Sequence, residues 1–340
     1  MTKSDYRVLS CEGGDQVGKG DSLNFLLDRL VGDEQVNVVT TSFPIYGTPI
    51  GNTIRVFLKE GGEKFDLAPR EELEVKMALF ALNRLEFLEV FLSEEMDENS
   101  LILFDRSAFS NALTIAYAMK KIPDIDKKEV QELVKMALDL DSLLIKTLNL
   151  TNCVVCLTSE GGNWENARGG DIDLHEDSEV QEYANYVYSL YQEVVGEGWK
   201  NVVTRGDGGW RGREEIFMEI REFVQERLGN FVKTKDRGER RDIGIKEIMK
   251  NIYIGSNVET DLLEEYVSSI RNNDKNLMYV TSAEVKEGIC STYERILFKN
   301  RTVRDAFREV CEKCPKIAVV LSFNLGAEFV NNLTKALEDE

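Results

Sequence analysis

The chain has one histidine, His175, in 340 residues. A zinc centre takes about four Cys, His or acidic ligands, and the pair Cys311-x-x-Cys314 has no matching pair or histidine near it. We read these two cysteines as structural thiols and His175 as a surface residue. Cysteine is otherwise sparse. The six residues, at 11, 153, 156, 290, 311 and 314, lie in apolar or helical contexts without the dense spacing of a secreted disulfide scaffold, which predicts a reducing, cytoplasmic setting. Positive charge is in deficit: 42 Lys and Arg stand against 61 Asp and Glu, a formal net charge of −19. Such a surface repels polyanions, argues against broad binding to nucleic acid or anionic membrane, and requires any phosphate site to be local. No window approaches the roughly 20 apolar residues of a membrane span, and the opening MTKSDY is polar, so the sequence predicts a soluble protein. The absence of a fixed-period repeat disfavours a solenoid.

What is present is apolar periodicity of two kinds. Short apolar runs occur at residues 7–12, 36–40, 101–104, 153–157 and 201–204, each separated from the next by segments of helical spacing. Five strands alternating with helices predict an α/β fold with a five-stranded parallel sheet covered on both faces. Thr48 before Pro49, and Ala68–Pro69 before Arg70, mark two helix starts, because proline is preorganised for the first turn. The second should open a long helix ending near Asp97. After Leu228 the charged stretch GNFVKTKDRGERRD reads as a linker or exposed turn. The sequence thus predicts an α/β domain over 1–228 and a mostly helical C-terminal region over 229–340, whose function it does not indicate.

Gly13, Gly14, Asp15, Gln16, Val17, Gly18 and Lys19 match G-x-x-x-x-G-K between a strand and a helix, the context that the phosphate-binding loop requires. Glycines let backbone N–H groups curl around phosphate oxygens, the helix N-terminus adds positive potential, and Lys19 adds a point charge. The Ser/Thr that usually follows the lysine and ligates Mg²⁺ is Gly20 here, followed by Asp21. A carboxylate at Asp21 can serve the metal or complement the helix dipole, and both readings stay open.

Read together, CEGGDQVGKG, SFPIYGTPIG with IRVFL, ALFALNRLEF and LILFDRSAFSNA resemble the ordered signature segments of thymidylate kinases, over about residues 6–228. The resemblance implies transfer of the ATP γ-phosphoryl to a deoxynucleotide monophosphate, dTMP first, with Mg²⁺ as cofactor and a homodimer formed through helices beside the sheet. It gives Gly13, Gly14, Gln16, Val17, Gly18, Lys19, Gly20 and Asp21 to ATP. Asp15 is implied at the acceptor sugar, Phe80 as a base-stacking ring and Arg84 as a base contact. Phe80 and Arg84 are four residues apart and so share a helix face.

Asp105 and Arg106 resemble the family's Asp-Arg-Tyr motif with Ser107 in place of Tyr. Asp105 is then a metal or phosphate-orienting residue and Arg106 the grip on the acceptor phosphate. Ser110 and Asn111 are implied at the base edge. After Phe43 and Pro44 the family carries an arginine where this chain has Ile45 and Tyr46; Arg70 or a Tyr46 hydroxyl is a substitute. The glycine-rich segment 159–172 resembles the family's lid, in which Arg168 is the sole basic residue. The family places a catalytic arginine in the P-loop or in the lid; Gln16 leaves this P-loop without one, and the resemblance makes Arg168 the candidate. Asp173 and Glu176 resemble acidic positions after the lid. Two further readings stay open: another deoxynucleoside or deoxynucleotide kinase, suggested by Asp-Arg-Ser, and a non-catalytic nucleotide-binding module.

Overall fold

The computed structural model describes residues 6–14, 17–93, 97, 99–122, 124–159, 178–206, 209–244, 301–314 and 316–317. The chain divides into two compact units, one of residues 1–42 and 96–242, the other of residues 43–95 and 243–340. The first holds the sheet. Its strands β1 (Arg7–Gly13), β2 (Val38–Ser42), β3 (Leu101–Asp105), β4 (Val154–Ser159) and β5 (Trp199–Gly206) are the five that the apolar runs predict. They lie in the order β5-β4-β1-β3-β2 and pair in parallel. β1 is central, and its register sets Cys11 beside Asp105 and Gly13 beside Leu157. The loop after β1 thus leaves the sheet where the chain crosses from one flank to the other, the place where open α/β sheets take ligands.

Among the described residues the sheet has seven strands rather than the five expected. β6 (Gly209–Trp210) folds back antiparallel on β5, and β7 (Arg240–Asp242) pairs in parallel with Val38–Thr40 of β2. The stretch expected to be a linker or exposed turn is therefore partly built into this unit. Phe231 is buried, Thr234 N donates to Gln35 O, and Gly238 packs so closely on the Val36 carbonyl that a side chain there would not fit. The strand escaped the sequence reading because its residues, Arg240, Arg241 and Asp242, are exposed and charged, as is common at a sheet edge.

Alternate strand residues face opposite layers. Leu9, Cys11, Leu101, Leu103, Val155, Leu157 and Val202 form one core with α1 (Lys19–Gly32) and α8 (Arg213–Leu228). α4 (Asn111–Lys121), α5 (Lys127–Leu140), α6 (Ser142–Leu148) and α7 (Ser178–Val195) complete the unit. Phe109 packs edge-on against Tyr191 and Trp199, with ring centroids 5.6 and 5.7 Å apart.

The second unit contains α2 (Pro49–Glu60), α3 (Pro69–Ser93) and α9 (Arg301–Lys313). Both predicted starts hold: the Thr48 side chain accepts from Gly51 N, and Glu71 Oε2 accepts from Ala68 N at 2.9 Å. α3 is buried on most sides, including its polar residues Glu72, Lys76, Asn83, Arg84 and Glu86. α9 packs on α3. Its apolar face buries Phe307, Val310 and Cys311, and Lys313 Nζ lies 2.9 Å from Glu74 Oε2. Cys314 is also buried, its Sγ 3.6 Å from Phe65 O. Among the described residues no helix is long and apolar enough to cross a membrane.

Candidate functional site

The phosphate loop is defined by close backbone approaches that only glycine permits. Gly13 has φ +139°, and a Cβ there would lie 2.4 Å from the Leu157 carbonyl oxygen; Gly18 has φ +74°. Both values fall where L-residues are strained. A Cβ on Gly14 would meet Gln181 Oε1 at 2.1 Å. Gly18 is the N-cap of α1 and among the described residues no side chain caps the helix, the arrangement by which helix N–H groups can take an anion. The far side of the loop is held by Thr204, whose hydroxyl donates to Val17 O at 2.6 Å, and by Tyr188, whose hydroxyl donates to Gly13 O at 3.3 Å.

At the mouth of the loop Lys19 forms an ion pair with Asp105, and Ser42 Oγ donates to the second Asp105 oxygen at 3.2 Å. Asp105 is the last residue of β3, so strand register alone brings it to the loop. Arg106 follows in the left-handed region, φ +70°. Its N–H donates to Cys11 O at 2.9 Å, and its Nη1 lies 3.5 Å from Gly13 O. The turn after it is tied down by a residue that the sequence reading did not single out. Glu12 is fully buried and accepts from Ser107 Oγ at 2.6 Å and Ser110 Oγ at 2.5 Å. Burial raises its carboxyl above the ordinary range, while the two serines and the nearby Arg106 pull the other way. A charged residue within the apolar run RVLSCE was the available signal.

Asn111, in the first turn of α4, is buried. Its Nδ2 donates to Asp141 Oδ2 at 3.4 Å, and its Oδ1 has no hydrogen-bond partner among the described residues. Gly20 is exposed and opens on free space. Both oxygens of Asp21 accept from Arg213, at 2.8 Å each, a partner the sequence did not suggest. Asp15, Gln16, Arg168, Asp173, His175 and Glu176 lie outside the described residues.

In the second unit Phe43 is buried and meets Phe87 edge-on at 5.5 Å, and Pro44 follows through a cis peptide bond. Tyr46 is exposed, with the Arg55 guanidinium 5.4 Å from its ring centre. Phe80 is half-buried, Arg84 is buried, and Arg70 is exposed with its Nε 3.9 Å from Glu74. The loop that carries Tyr46 is pinned by two further residues that sequence reasoning missed as a pair. Asn83 Oδ1 accepts from Ile45 N at 2.7 Å and its Nδ2 lies 2.7 Å from Glu86 Oε2. Glu86 also accepts from Thr48 Oγ1 at 2.6 Å and from Ile50 N at 3.1 Å. Burial lifts its carboxyl to about 8, against the three hydrogen bonds that favour the charged form.

A central parallel strand, a glycine loop capping the next helix, and a lysine–aspartate pair beside it define a P-loop α/β protein of the nucleotide-binding class. Residues 11–139 match the model of the thymidylate kinase family, a little over a third of the chain. This is the family, one of ATP-dependent nucleoside-monophosphate kinases, that the four sequence segments resemble. Among solved structures, the chain matches a thymidylate kinase from Candida albicans, described for its broad substrate specificity and a novel structural element. The two are 18% identical, the match covers 69% of this chain and 97% of that chain, and the TM-score is 0.44. No curated protein matches the sequence.

Proposed function

We propose that the chain is a kinase that moves the γ-phosphoryl of ATP to a deoxynucleotide monophosphate, dTMP before others, in the cytoplasm. The observation that carries this reading is the pairing of Lys19 with Asp105 at the mouth of the glycine loop, with the Arg106 backbone fixed to β1 one residue later. Three charged groups of the types that phosphoryl transfer needs thus lie together at the C-terminal ends of β1 and β3. The family match over residues 11–139 supports the same chemistry.

In this reading the loop N–H groups and Lys19 hold the donor phosphates, and Lys19 exchanges its pairing with Asp105 for a phosphate when ATP enters. The Arg106 fork grips the acceptor phosphate, and Arg168 supplies the second cation. The Asn111 Oδ1, a buried acceptor with no donor among the described residues, suits an N–H such as that of a thymine edge. Phe80, Arg84, Tyr46, Ser110 and Asp15 are the acceptor contacts that the family resemblance implies. Since Ser110 and Ser107 both serve Glu12, their first role is to set the turn that carries Arg106.

Mg²⁺ fits the donor set. It takes oxygen ligands and is commonly held by one or two carboxylates plus phosphate oxygens, which Asp105 with the Ser42 hydroxyl beside it can provide. Bound there, the metal would neutralise charge on the phosphates. Asp21, with both oxygens on Arg213, stands second to Asp105 as a metal ligand.

The test is ADP release with dTMP, dUMP, dGMP and thymidine as acceptors, with and without Mg²⁺. Fastest turnover of dTMP is expected. Faster turnover of thymidine than of dTMP would move the assignment to a deoxynucleoside kinase, and no turnover with any acceptor would leave a nucleotide-binding module.

A further inference from the structure

Trp210 is more than half exposed, at 55% of its surface, an unusual state for the largest aromatic side chain. It stands on β6, opposite Arg205 of β5, whose guanidinium lies over the indole at 5.6 Å from its centre. The ring edge rests on the phosphate loop itself. A Cβ placed on Gly18 would meet Trp210 Cζ3 at 2.9 Å and Cη2 at 3.4 Å. The hairpin is fastened to the loop by a short series of hydrogen bonds. Thr204 Oγ1 donates to Val17 O, Arg211 N donates to Thr204 O at 2.9 Å, and Arg211 Nη1 donates to Val203 O at 2.8 Å. Arg211 also pairs with Glu219 at 2.9 Å. Two residues on, Arg213 is bonded to Asp21 in the first turn of α1. An exposed indole is therefore held in place against Gly18, where the phosphate loop passes into α1.

We propose that Trp210, flanked by Arg205, is the stacking platform for the base of the phosphoryl donor, so that the donor is recognised by its π face as well as by its phosphates. Stacking on an indole costs little side-chain entropy when the ring is already fixed, and it tolerates either purine. Arg205 completes the platform as a cation over the ring. The inference rests on the kinase reading only for which nucleotide is the donor; the platform itself is a statement about nucleotide binding.

The experiment is a fluorescence titration of the full chain without an acceptor, using ATP, GTP and inorganic tripolyphosphate as probes, and dTMP separately. Trp210→Phe identifies the Trp210 signal against Trp164 and Trp199. ATP and GTP should quench Trp210 emission and tripolyphosphate should not. Trp210→Ala should weaken ATP binding about tenfold, the scale of one aromatic–base stack, and leave tripolyphosphate binding within about twofold. Trp210→Phe, which keeps a ring, should fall between. In turnover assays the loss should appear in KM for ATP with little change in KM for dTMP. Equal quenching by ATP and tripolyphosphate, quenching by dTMP alone, or ATP affinity in Trp210→Phe as poor as in Trp210→Ala would overturn the proposal. Quenching by ATP in a protein that phosphorylates no acceptor would instead refute the kinase reading and leave the platform standing.

Discussion

Glu86 gives the sharpest quantitative test of the second unit. Its carboxyl is fully buried, and burial pushes it up from 4.5 to about 8. Between these values the unfolded chain releases the proton and the folded chain keeps it. Folded Glu86 therefore binds more protons than unfolded Glu86, and stability falls as pH rises through that window. The slope is about 1.4 kcal/mol per pH unit, and the whole shift is on the order of 5 kcal/mol. Glu86→Gln removes the titration. Its amide NH₂ would meet the Asn83 NH₂ group, which now donates to Glu86 Oε2, so the variant should be less stable at pH 5 by about 1 to 3 kcal/mol. As wild type loses stability toward pH 8, the order should reverse. Urea unfolding of both proteins at pH 5, 6, 7 and 8 gives the difference directly, because all other groups cancel between them. Parallel stability profiles would refute the reasoning, and so would a wild-type advantage that grows with pH.

Asp105→Asn should lower kcat more than it weakens ATP binding, because Lys19 and the loop N–H groups still hold the donor; steady-state kinetics and an ATP titration separate the two effects. Arg168→Ala should cut kcat by about 10³ to 10⁵-fold, the range measured for arginines of this kind, with dTMP affinity and Tm nearly unchanged; a fall below about tenfold would make Arg168 a solvated residue. The proposed boundary after Leu228 is tested by comparing chains 1–228 and 1–244. Both should keep kcat per folded molecule if the C-terminal region is separate from the chemistry. The shorter one should melt lower, since it loses Phe231 and β7, and both should lose the burial that α9 gives to α3.

What could be read from the sequence follows from how each feature is encoded. The five main strands are short apolar runs, and the P-loop is a contiguous motif whose glycines answer to local backbone geometry, so both were visible in order along the chain. Asp105 was legible for the same reason, since it ends an apolar strand. β7 was not. Three exposed charged residues become a strand because β2 offers an unpaired edge, and that is a tertiary fact with no local signature. Glu12, Asn83 and Glu86 lie between these cases. Each is a polar residue in an apolar context, which sequence can flag, but the partner that makes burial tolerable is 35 to 98 residues away for the hydroxyls of Thr48, Ser107 and Ser110. Asp21 shows the converse. Its helix-start position suited a metal or a dipole, and the structure gives both its oxygens to Arg213, 192 residues later. Buried carboxylates and surface ion pairs are thus where sequence reasoning stops in this chain. They are also the groups that set the turn of Arg106, the loop of Tyr46 and the seating of the Trp210 hairpin. The charges expected to do the chemistry could be named from motifs, whereas Glu12, which with its two serines sets the turn of Arg106, had to be found in the fold.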